Sequence, residues 1–263
     1  MNSKYKKALN FILNNHVQES IPSKFLTLQK SLTSEERFQI RNDERIVSKI
    51  FNLDIDNIIF DEYYCWDSTT LSLYYYLKTF LKTKNIKNIL ELGCGPYCTL
   101  SISLKKLFPN IEFTALEIDK DKIKNAIKTR QKNKIKVDIF YSDLFSKVNS
   151  TYDIIFMNPP YVPSKFEKQI VDNSSPTLNS KEWKSGHSNE DGLEVINKLL
   201  KNSKNYLSDD GFLIIGINNY FISNIKLISL FKNFEFNLLE KFKKQKECIP
   251  TGNYSQVYTL NIK

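Results

Sequence analysis

The alternation of strand-like and helix-like segments after residue 88 is the feature that most constrains what this chain can fold into. Short apolar runs rich in Ile, Leu, Val and Phe alternate with stretches of helical periodicity. The predicted strands are 88–92, 111–117, 135–140, 153–157 and 211–217, with two more near 234–240 and 256–262, and the predicted helices are 98–107, 120–131, 189–206 and 222–232. This order is typical of an α/β, doubly wound domain with a seven-stranded sheet, whose ligand binds at the carboxyl ends of the strands.

The first 84 residues lack this alternation, and we predict a helical N-terminal region that precedes the α/β domain of residues 85–263. The spacing of apolar residues predicts helices over 3–18, from Thr33 to Phe51, and over 69–83. Thr33 and Glu36 match a capping box at the start of the second helix. A region of this kind is a candidate surface for recognising a substrate or partner.

The composition is that of an ordinary globular protein, with 41% apolar and 25% charged residues. We find no apolar run long enough to span a bilayer and no apolar core of a signal peptide after Met1. The four cysteines do not resemble a secreted disulfide framework in a chain of this length. We therefore expect a cytoplasmic protein without a membrane partner.

The net charge of +9 raises the question of a nucleic-acid partner. Only four of the 38 basic residues are arginine, and the lysines are spread over every segment rather than gathered in one tract. A solvated, lysine-rich surface is therefore the favoured interpretation, and a basic groove for nucleic acid is the alternative.

Glycines at the end of the first predicted strand mark a candidate cofactor loop, Glu91-Leu-Gly93-Cys-Gly95. Glycine lets the backbone turn sharply and approach a ligand closely, although a tight turn without a ligand is the alternative. Glu91 would repel the pyrophosphate of a dinucleotide, and Cys98 replaces the third glycine of the dinucleotide fingerprint. S-adenosylmethionine has no phosphate and carries an ammonium and a sulfonium, so this loop favours that methyl donor.

Acids follow the second and third predicted strands. Glu117 lies about 20 residues after Gly95, which is the spacing at which an acid meets ribose hydroxyls in doubly wound folds. Asp143, followed by Leu144, stands where it could hold an adenine amine. Each acid taken alone is also compatible with a turn, and Asp119 is favoured as the N-cap of the next helix.

The fourth predicted strand ends in Asn158-Pro159-Pro160-Tyr161. Two prolines end a strand and stiffen the chain, so a structural turn is the alternative interpretation. The Asn158 side-chain oxygen and the Pro159 carbonyl can accept the two N–H groups of an amide or aromatic amine, and Tyr161 can stack on its plane. This arrangement favours methyl transfer to a planar nitrogen, in which positioning supplies much of the catalysis.

These motifs, taken in order, resemble those of the class I S-adenosylmethionine-dependent methyltransferases, which have a Rossmann-like sheet. Asn158-Pro-Pro-Tyr-Val-Pro163 and the stretch from Trp183 to Ile196 are most similar to the HemK/PrmC group, which methylates a glutamine side-chain amide in peptide-chain release factors. The resemblance covers about residues 60–263. It implies that the donor is bound by Glu91, Gly93, Gly95, Glu117, Asp143, Leu144 and Asn158, and that the target nitrogen is presented by Asn158, Pro159 and Tyr161. The expected product is S-adenosylhomocysteine.

Departures from that group leave the substrate open. Tyr97 stands at the third glycine of the first family motif, and the proline-rich stretch ahead of the loop is absent. In its place, Tyr64-Cys65-Trp66-Asp67-Ser68-Thr69 only loosely resembles the corresponding stretch of eukaryotic and archaeal relatives, and the N-terminal helices match no release-factor-binding module. The alternatives to a protein glutamine are adenine in RNA or DNA and a small molecule. A non-catalytic binding module on the same fold is a further alternative.

Other candidates carry weaker signals. Cys94 and Cys98 lack nearby partners for a metal site, so we expect no metal. The segment 162–188 is long for a structureless connection and is a candidate binding loop, in which Trp183 could cover a substrate or simply anchor the loop. His187 has no carboxylate partner nearby in the sequence, and we expect it at the surface. The sequence does not indicate an oligomeric state.

Overall fold

A seven-stranded sheet forms the centre of the protein in the computed structural model, which describes residues 6, 7, 9, 10, 34–55, 63–164, 188–242 and 255–262. The strands are β1 (Asn88–Leu92), β2 (Glu112–Glu117), β3 (Asp138–Tyr141), β4 (Tyr152–Met157), β5 (Leu207–Asn218), β6 (Phe236–Phe242) and β7 (Ser255–Ile262). Their order is β3-β2-β1-β4-β5-β7-β6. Strands β1 to β5 pair in parallel, and β7 lies antiparallel between β5 and β6. The predicted seven-stranded, doubly wound sheet is confirmed.

Helices connect the strands and precede them. Within the described ranges they are α1 (Ser34–Asn42), α2 (Glu44–Phe51), α3 (Ser68–Thr83), α4 (Thr99–Leu107), α5 (Lys120–Lys132), α6 (Glu194–Ser203) and α7 (Asn224–Asn233). Residues 6, 7, 9 and 10 are also helical. The rest of the predicted helix 3–18, and Thr33 of the predicted capping box, lie outside the described residues.

The predicted single helix from Thr33 to Phe51 is wrong, because Asp43 interrupts it. The backbone of Asp43 is extended, with φ −69° and ψ 118°. Its side chain accepts hydrogen bonds from the amides of Arg45 and Ile46, which makes it the N-cap of α2. An aspartate that satisfies the first amides of a helix begins a new helix rather than continuing an old one.

The predicted helix 189–206 is shorter at both ends. Gly192 has φ +76°, which an α-helix does not allow, and the Asn189 side chain accepts from the amides of Leu193 and Glu194 just before α6. At the other end, residues 204–206 form a single 3₁₀ turn, and β5 begins at Leu207, earlier than the predicted 211.

The third strand begins at Asp138, whereas the prediction began at residue 135. The residues in between are bound to the end of α5 instead of to the sheet. The Ile135 amide donates to the Arg130 carbonyl, and the Arg130 guanidinium donates to the carbonyl of Val137 at 3.0 Å. This hydrogen bonding explains why an apolar run of strand-like composition is only partly a strand.

Two apolar cores lie on opposite faces of the sheet. Alternate residues of β4 supply them, with Ile154 and Phe156 in one core and Ile155 and Met157 in the other. Helices α1 to α5 cover the first face, and α6 and α7 cover the second. The helices of the N-terminal region therefore share a core with β1 and β4.

A glycine in β5 lets α3 approach the sheet closely. A Cβ atom at Gly216 would lie 2.6 Å from Thr69 Cγ2 and 2.7 Å from Leu73 Cδ1. Real Cβ atoms do not approach other atoms so closely, so only glycine fits here. The contact places the first turn of α3 beside the carboxyl end of β5. None of the helices that the structure describes is long and apolar enough to cross a membrane.

Candidate functional site

A pocket of about 650 Å³ opens at the carboxyl ends of β1, β2 and β4. In a doubly wound sheet this is the edge where ligands bind, at the point where the strand order reverses between β1 and β4. The nine residues predicted from the sequence all line it: Glu91, Gly93, Gly95, Glu117, Asp143, Leu144, Asn158, Pro159 and Tyr161. The fold thus brings together residues that are as far apart as β1 and β4 in the chain.

The loop after β1 bends around one side of this pocket. Gly93 and Gly95 have φ of +67° and +68°, and a Cβ atom at Gly95 would meet nothing within 4 Å. The Cys94 amide donates to the Leu116 carbonyl and fixes the loop to β2. Gly95 therefore presents bare backbone to open pocket space, where a ligand can approach closely.

The end of this loop differs from the usual glycine-rich form. Tyr97, at the position of the third family glycine, is buried. Cys98 begins α4 in the left-handed region, with φ +46°, although it is not a glycine. Glycine would adopt such a turn without strain. Here the packing of the buried Tyr97 and Cys98 side chains holds the turn.

Glu91 is a buried acid in the wall of the pocket. Its Oε2 accepts hydrogen bonds from the amide and the hydroxyl of Ser101 on α4. Burial raises the pKa of the Glu91 carboxyl to about 8, although both bonds from Ser101 lower it. A positive charge next to such a buried carboxyl stabilises its ionised form.

Glu117 accepts hydrogen bonds from backbone amides of two neighbouring loops. Its Oε2 accepts from the Gly95 amide at 2.9 Å, and its Oε1 accepts from the amides of Ile118 and Asp119. The buried carboxylate therefore joins the loop after β1 to the loop after β2. The next acid, Asp119, is the N-cap of α5, as predicted, and accepts from the Asp121 and Lys122 amides.

Asp143 and Leu144 border the far end of the pocket. Asp143 is exposed, and its backbone amide donates a hydrogen bond to the Ser146 hydroxyl. Leu144 has φ +43°, and its carbonyl accepts from the Ser142 hydroxyl. Ile118, whose side chain is 55% exposed, lines the same end. An apolar slot bordered by one acid suits a flat, amine-bearing ring.

Asn158 is half-buried at the end of β4, and its amide group has a defined orientation. Its Nδ2 donates to Asp67 Oδ1 and to Thr70 Oγ1, each at 3.4 Å. Asp67 also accepts from the amide and hydroxyl of Thr70 as the N-cap of α3. Because Asp67 Oδ1 is a hydrogen-bond acceptor here, the Asn158 nitrogen faces α3 and its oxygen is left for the pocket.

Tyr161 is held from behind through its hydroxyl. The hydroxyl lies 2.8 Å from Thr69 Oγ1, which in turn lies 3.4 Å from Ser255 Oγ. Burial raises the pKa of the Tyr161 hydroxyl, so the side chain is a neutral ring. The Phe221 ring packs against it with centroids 6.1 Å apart and also lines the pocket.

The tetrapeptide backbone is supported by a glycine that precedes α6. A Cβ atom at Gly192 would lie 2.4 Å from the Tyr161 carbonyl oxygen. The Ser188 amide donates to the Val162 carbonyl and closes the base of the long loop. Residues 165–187, with the candidates Trp183 and His187, lie outside the described residues.

Sequence reasoning missed the contribution of the segment ahead of α3. Asp67, Thr69 and Thr70 lie behind Asn158 and Tyr161, although the sequence placed them only in a loosely family-like stretch. The local signal was an aspartate just before an apolar helical run, which predicts an N-cap. That the same carboxylate would reach β4 depends on the fold.

The known proteins to which this chain is similar include several methyltransferases. Residues 64–180 match the family model described as "Methyltransferase small domain". A bifunctional methyltransferase of Rickettsia typhi is 34% identical over 161 residues, which are 60% of this chain and 30% of the relative. A release factor glutamine methyltransferase of Buchnera aphidicola is 32% identical over 162 residues, 59% of this chain and 54% of the relative. The chain spans about half or less of the length of these two relatives.

Solved structures show the same fold at low identity. The hMettl16 catalytic domain, solved in complex with MAT2A 3'UTR hairpin 1, superposes with a TM-score of 0.65, with 14% identity over 98% of this chain and 91% of that one. A methyltransferase from Pyrococcus furiosus gives a TM-score of 0.56, with 21% identity over 86% of this chain and 98% of that one. Residues 64–180 are therefore similar to a methyltransferase small domain, and the described residues have the Rossmann-like fold of the class I S-adenosylmethionine-dependent methyltransferases.

Proposed function

We propose that this protein transfers the methyl group of S-adenosylmethionine to the side-chain amide nitrogen of a protein glutamine. The observation that carries the proposal is the orientation of Asn158. Its nitrogen is bound by Asp67 and Thr70, so its oxygen is available to accept a hydrogen bond inside the pocket. An acceptor fixed in this way binds a planar –NH₂ group and gives it one orientation.

The pocket suits a donor that is cationic at one end. Buried Glu91 and Glu117 lie in its wall, and Asp143 borders the apolar end next to Leu144. Such a set of acids would repel a pyrophosphate and attract an ammonium or a sulfonium. Gly95 leaves room for close approach. When bound, S-adenosylmethionine supplies an electrophilic methyl group on sulfur.

The tetrapeptide would hold the target nitrogen for attack. The Asn158 oxygen and the Pro159 carbonyl accept its two N–H groups, and the Tyr161 ring supports the amide plane. Both acceptors draw the nitrogen lone pair out of conjugation and aim it at the methyl carbon. Methyl transfer held in this way would form the N–C bond, break the C–S bond of the donor and release one proton from the nitrogen to solvent. Positioning of this kind supplies a large share of such a rate enhancement.

A protein glutamine is proposed as the substrate because of the named relatives. Release factor glutamine methyltransferases of Buchnera aphidicola and Streptococcus pneumoniae match this chain at 32% and 26% identity. The substrate we propose is therefore a peptide-chain release factor or a protein with a similarly exposed glutamine loop. Adenine carries the same –NH₂ geometry and is the competing substrate.

The test is radiolabelled methyl transfer to a release factor, to its glutamine→alanine variant, and to adenine-containing RNA and DNA. We expect label in the release factor alone, lost in the glutamine variant, with the methyl group on the amide nitrogen by peptide mass spectrometry. Asn158→Ala should abolish transfer even at a donor concentration that saturates the variant in calorimetry. Label in RNA or DNA but not in protein would reject the glutamine substrate, and undiminished transfer by Asn158→Ala would reject the mechanism.

A further inference from the structure

An arginine of the N-terminal helices lines the pocket. Arg41, at the end of α1, lies with its guanidinium carbon 4.6 Å from the centroid of the Tyr64 ring, and both residues line the pocket. Stacking on an aromatic face fixes the plane of a guanidinium without using its N–H donors. Arg41 is therefore a cation that is held in place with donors available for an anion.

The segment that carries Tyr64 is fastened to both neighbouring helices. The Asn42 side chain of α1 donates to the Tyr63 carbonyl at 2.9 Å and accepts from the Cys65 amide at 2.7 Å. The Thr99 hydroxyl, at the start of α4, donates to the Cys65 carbonyl at 2.7 Å. The Arg41–Tyr64 pair is thus positioned beside the turn that follows Gly95.

Arg41 and Tyr64 line the same pocket as Asn158 and Tyr161, the residues expected to present the target nitrogen. The two other cations of the described lining already have partners: Lys198 of α6 is paired with Glu194 at 2.8 Å, and Lys122 of α5 lies over the Tyr63 ring.

We propose that Arg41, stacked on Tyr64, binds the α-carboxylate of the methyl donor. The inference rests on the proposed function, because it takes S-adenosylmethionine as the ligand. The amino-acid end of that donor carries one carboxylate, which the acids Asp67 and Glu117 would repel. A guanidinium accepts a carboxylate through two parallel hydrogen bonds. The N-terminal helical region is then part of the donor site and not only a surface for partners.

Two ligands that differ by the amino-acid end provide the test. S-Adenosylhomocysteine has the carboxylate, whereas 5′-methylthioadenosine lacks the whole amino-acid group and keeps the nucleoside and sulfur. Titration calorimetry would compare them on the full-length wild type, Arg41→Gln, Arg41→Lys and Tyr64→Phe. Lys198→Gln is the matched control, since it removes another cation of the same pocket.

We expect Arg41→Gln to weaken binding of S-adenosylhomocysteine by about 10- to 100-fold, the value of a charge-assisted hydrogen bond. Binding of 5′-methylthioadenosine should be unchanged. Arg41→Lys should recover part of the affinity, while Tyr64→Phe and Lys198→Gln should resemble wild type. Equal losses for both ligands would mean a distorted pocket and overturn the proposal, as would no loss for either.

Calorimetry together with steady-state methyl-transfer kinetics on the same variants separates this inference from the proposed function. If the wild type binds both ligands and Arg41→Gln raises only the KM for the methyl acceptor, the donor site stands and Arg41 contacts the substrate instead. That result overturns the assignment of Arg41 alone. If the wild type binds neither ligand, the donor itself is wrong, and both proposals fall together.

Discussion

Asp67 accepts a hydrogen bond from the side chain of Asn158 across 91 positions of sequence, with 3.4 Å between Oδ1 and Nδ2. The same carboxylate is the N-cap of α3 and accepts from the Thr70 amide at 2.6 Å. One acid therefore begins a helix and orients the residue that is expected to present the target nitrogen. This dual role allows its two effects to be separated by substitution.

Asp67→Asn should slow methyl transfer while leaving the protein stable. Asparagine is about as good an N-cap as aspartate, so the free energy of unfolding should change by less than about 0.5 kcal/mol. Its amide can offer either oxygen or nitrogen to Asn158, so the orientation of Asn158 is no longer enforced. We expect kcat to fall by about 10- to 100-fold, the scale of a small misplacement at a reacting centre.

The control for that variant is Asp43→Asn, which changes the N-cap of α2 in the same way and does not line the pocket. Steady-state kinetics and urea unfolding of both variants would check the prediction. If Asp67→Asn and Asp43→Asn have the same kcat, Asp67 does not orient Asn158.

Alanine at Gly95 should mainly weaken donor binding, whereas alanine at Gly216 should mainly lower the stability of the fold. At Gly95 the added Cβ atom meets nothing within 4 Å and enters the pocket, although φ +68° is unfavourable for alanine. Gly95→Ala should weaken donor binding at least about tenfold, with a loss of roughly 1 kcal/mol in stability. At Gly216 the Cβ atom would collide with Thr69 and Leu73, so Gly216→Ala should cost about 2–3 kcal/mol of stability.

Denaturant unfolding and donor titration on both glycine variants give the comparison. If Gly95 contacts the donor, Gly95→Ala must lose more donor affinity than its loss of unfolding free energy explains. If the two variants lose stability equally and Gly95→Ala binds the donor normally, Gly95 is a turn glycine and not a ligand contact.

Glu91 should make the stability of the ligand-free protein fall as pH rises. Burial raises the pKa of its carboxyl from the ordinary 4.5 to about 8, so the folded chain holds this proton more tightly than the unfolded chain. Its stabilising contribution is complete below about pH 4.5, declines as the pH rises, and is lost above about pH 8. The loss should amount to a few kcal/mol at most, on the order expected from linkage.

Glu91→Gln should abolish that part of the pH dependence, because glutamine cannot ionise and can still accept from Ser101. Urea unfolding from pH 5 to 9 would check this, with exposed Asp210→Asn as the control. A pH profile of Glu91→Gln parallel to that of the wild type would show that another group titrates.

Tyr161 should act through its ring rather than through its hydroxyl. The hydroxyl contacts Thr69 behind the pocket, so Tyr161→Phe loses one buried hydrogen bond worth about 1 kcal/mol and keeps the ring. We expect Tyr161→Phe to keep kcat within about tenfold and Tyr161→Ala to lose about 100-fold or more, since only the second removes the support of the amide plane. A Tyr161→Phe variant as inactive as Tyr161→Ala would assign the chemistry to the hydroxyl.

The predictable parts of the fold are those set by local pattern. The seven strands follow from apolar runs between turn residues, and the N-cap at Asp119 follows from its position before a helix. The break at Asp43 was missed because the apolar periodicity continues across it into α2. The start of β3 was placed three residues too early because Arg130, a helix residue, binds the Val137 carbonyl.

The same distinction holds for the pocket. Glycines and acids at strand ends could be named from the sequence because parallel strands bring their carboxyl ends to one edge. The contacts from Asp67 to Asn158 and from Arg41 to Tyr64 could not, because they depend on how the N-terminal helices pack against the sheet. Long-range pairing of this kind has no local signature.

The hydrogen bonds around Thr69 have a consequence for how the chain is made. Thr69 contacts Tyr161 and, 186 positions later, Ser255 in the last strand of the sheet. During synthesis the first turn of α3 leaves the ribosome long before β5 and β7, against which it packs. Contacts between such distant parts form slowly, because a long loop must close before they form. The support behind the proposed acceptor site is therefore completed only after Ser255 has been translated.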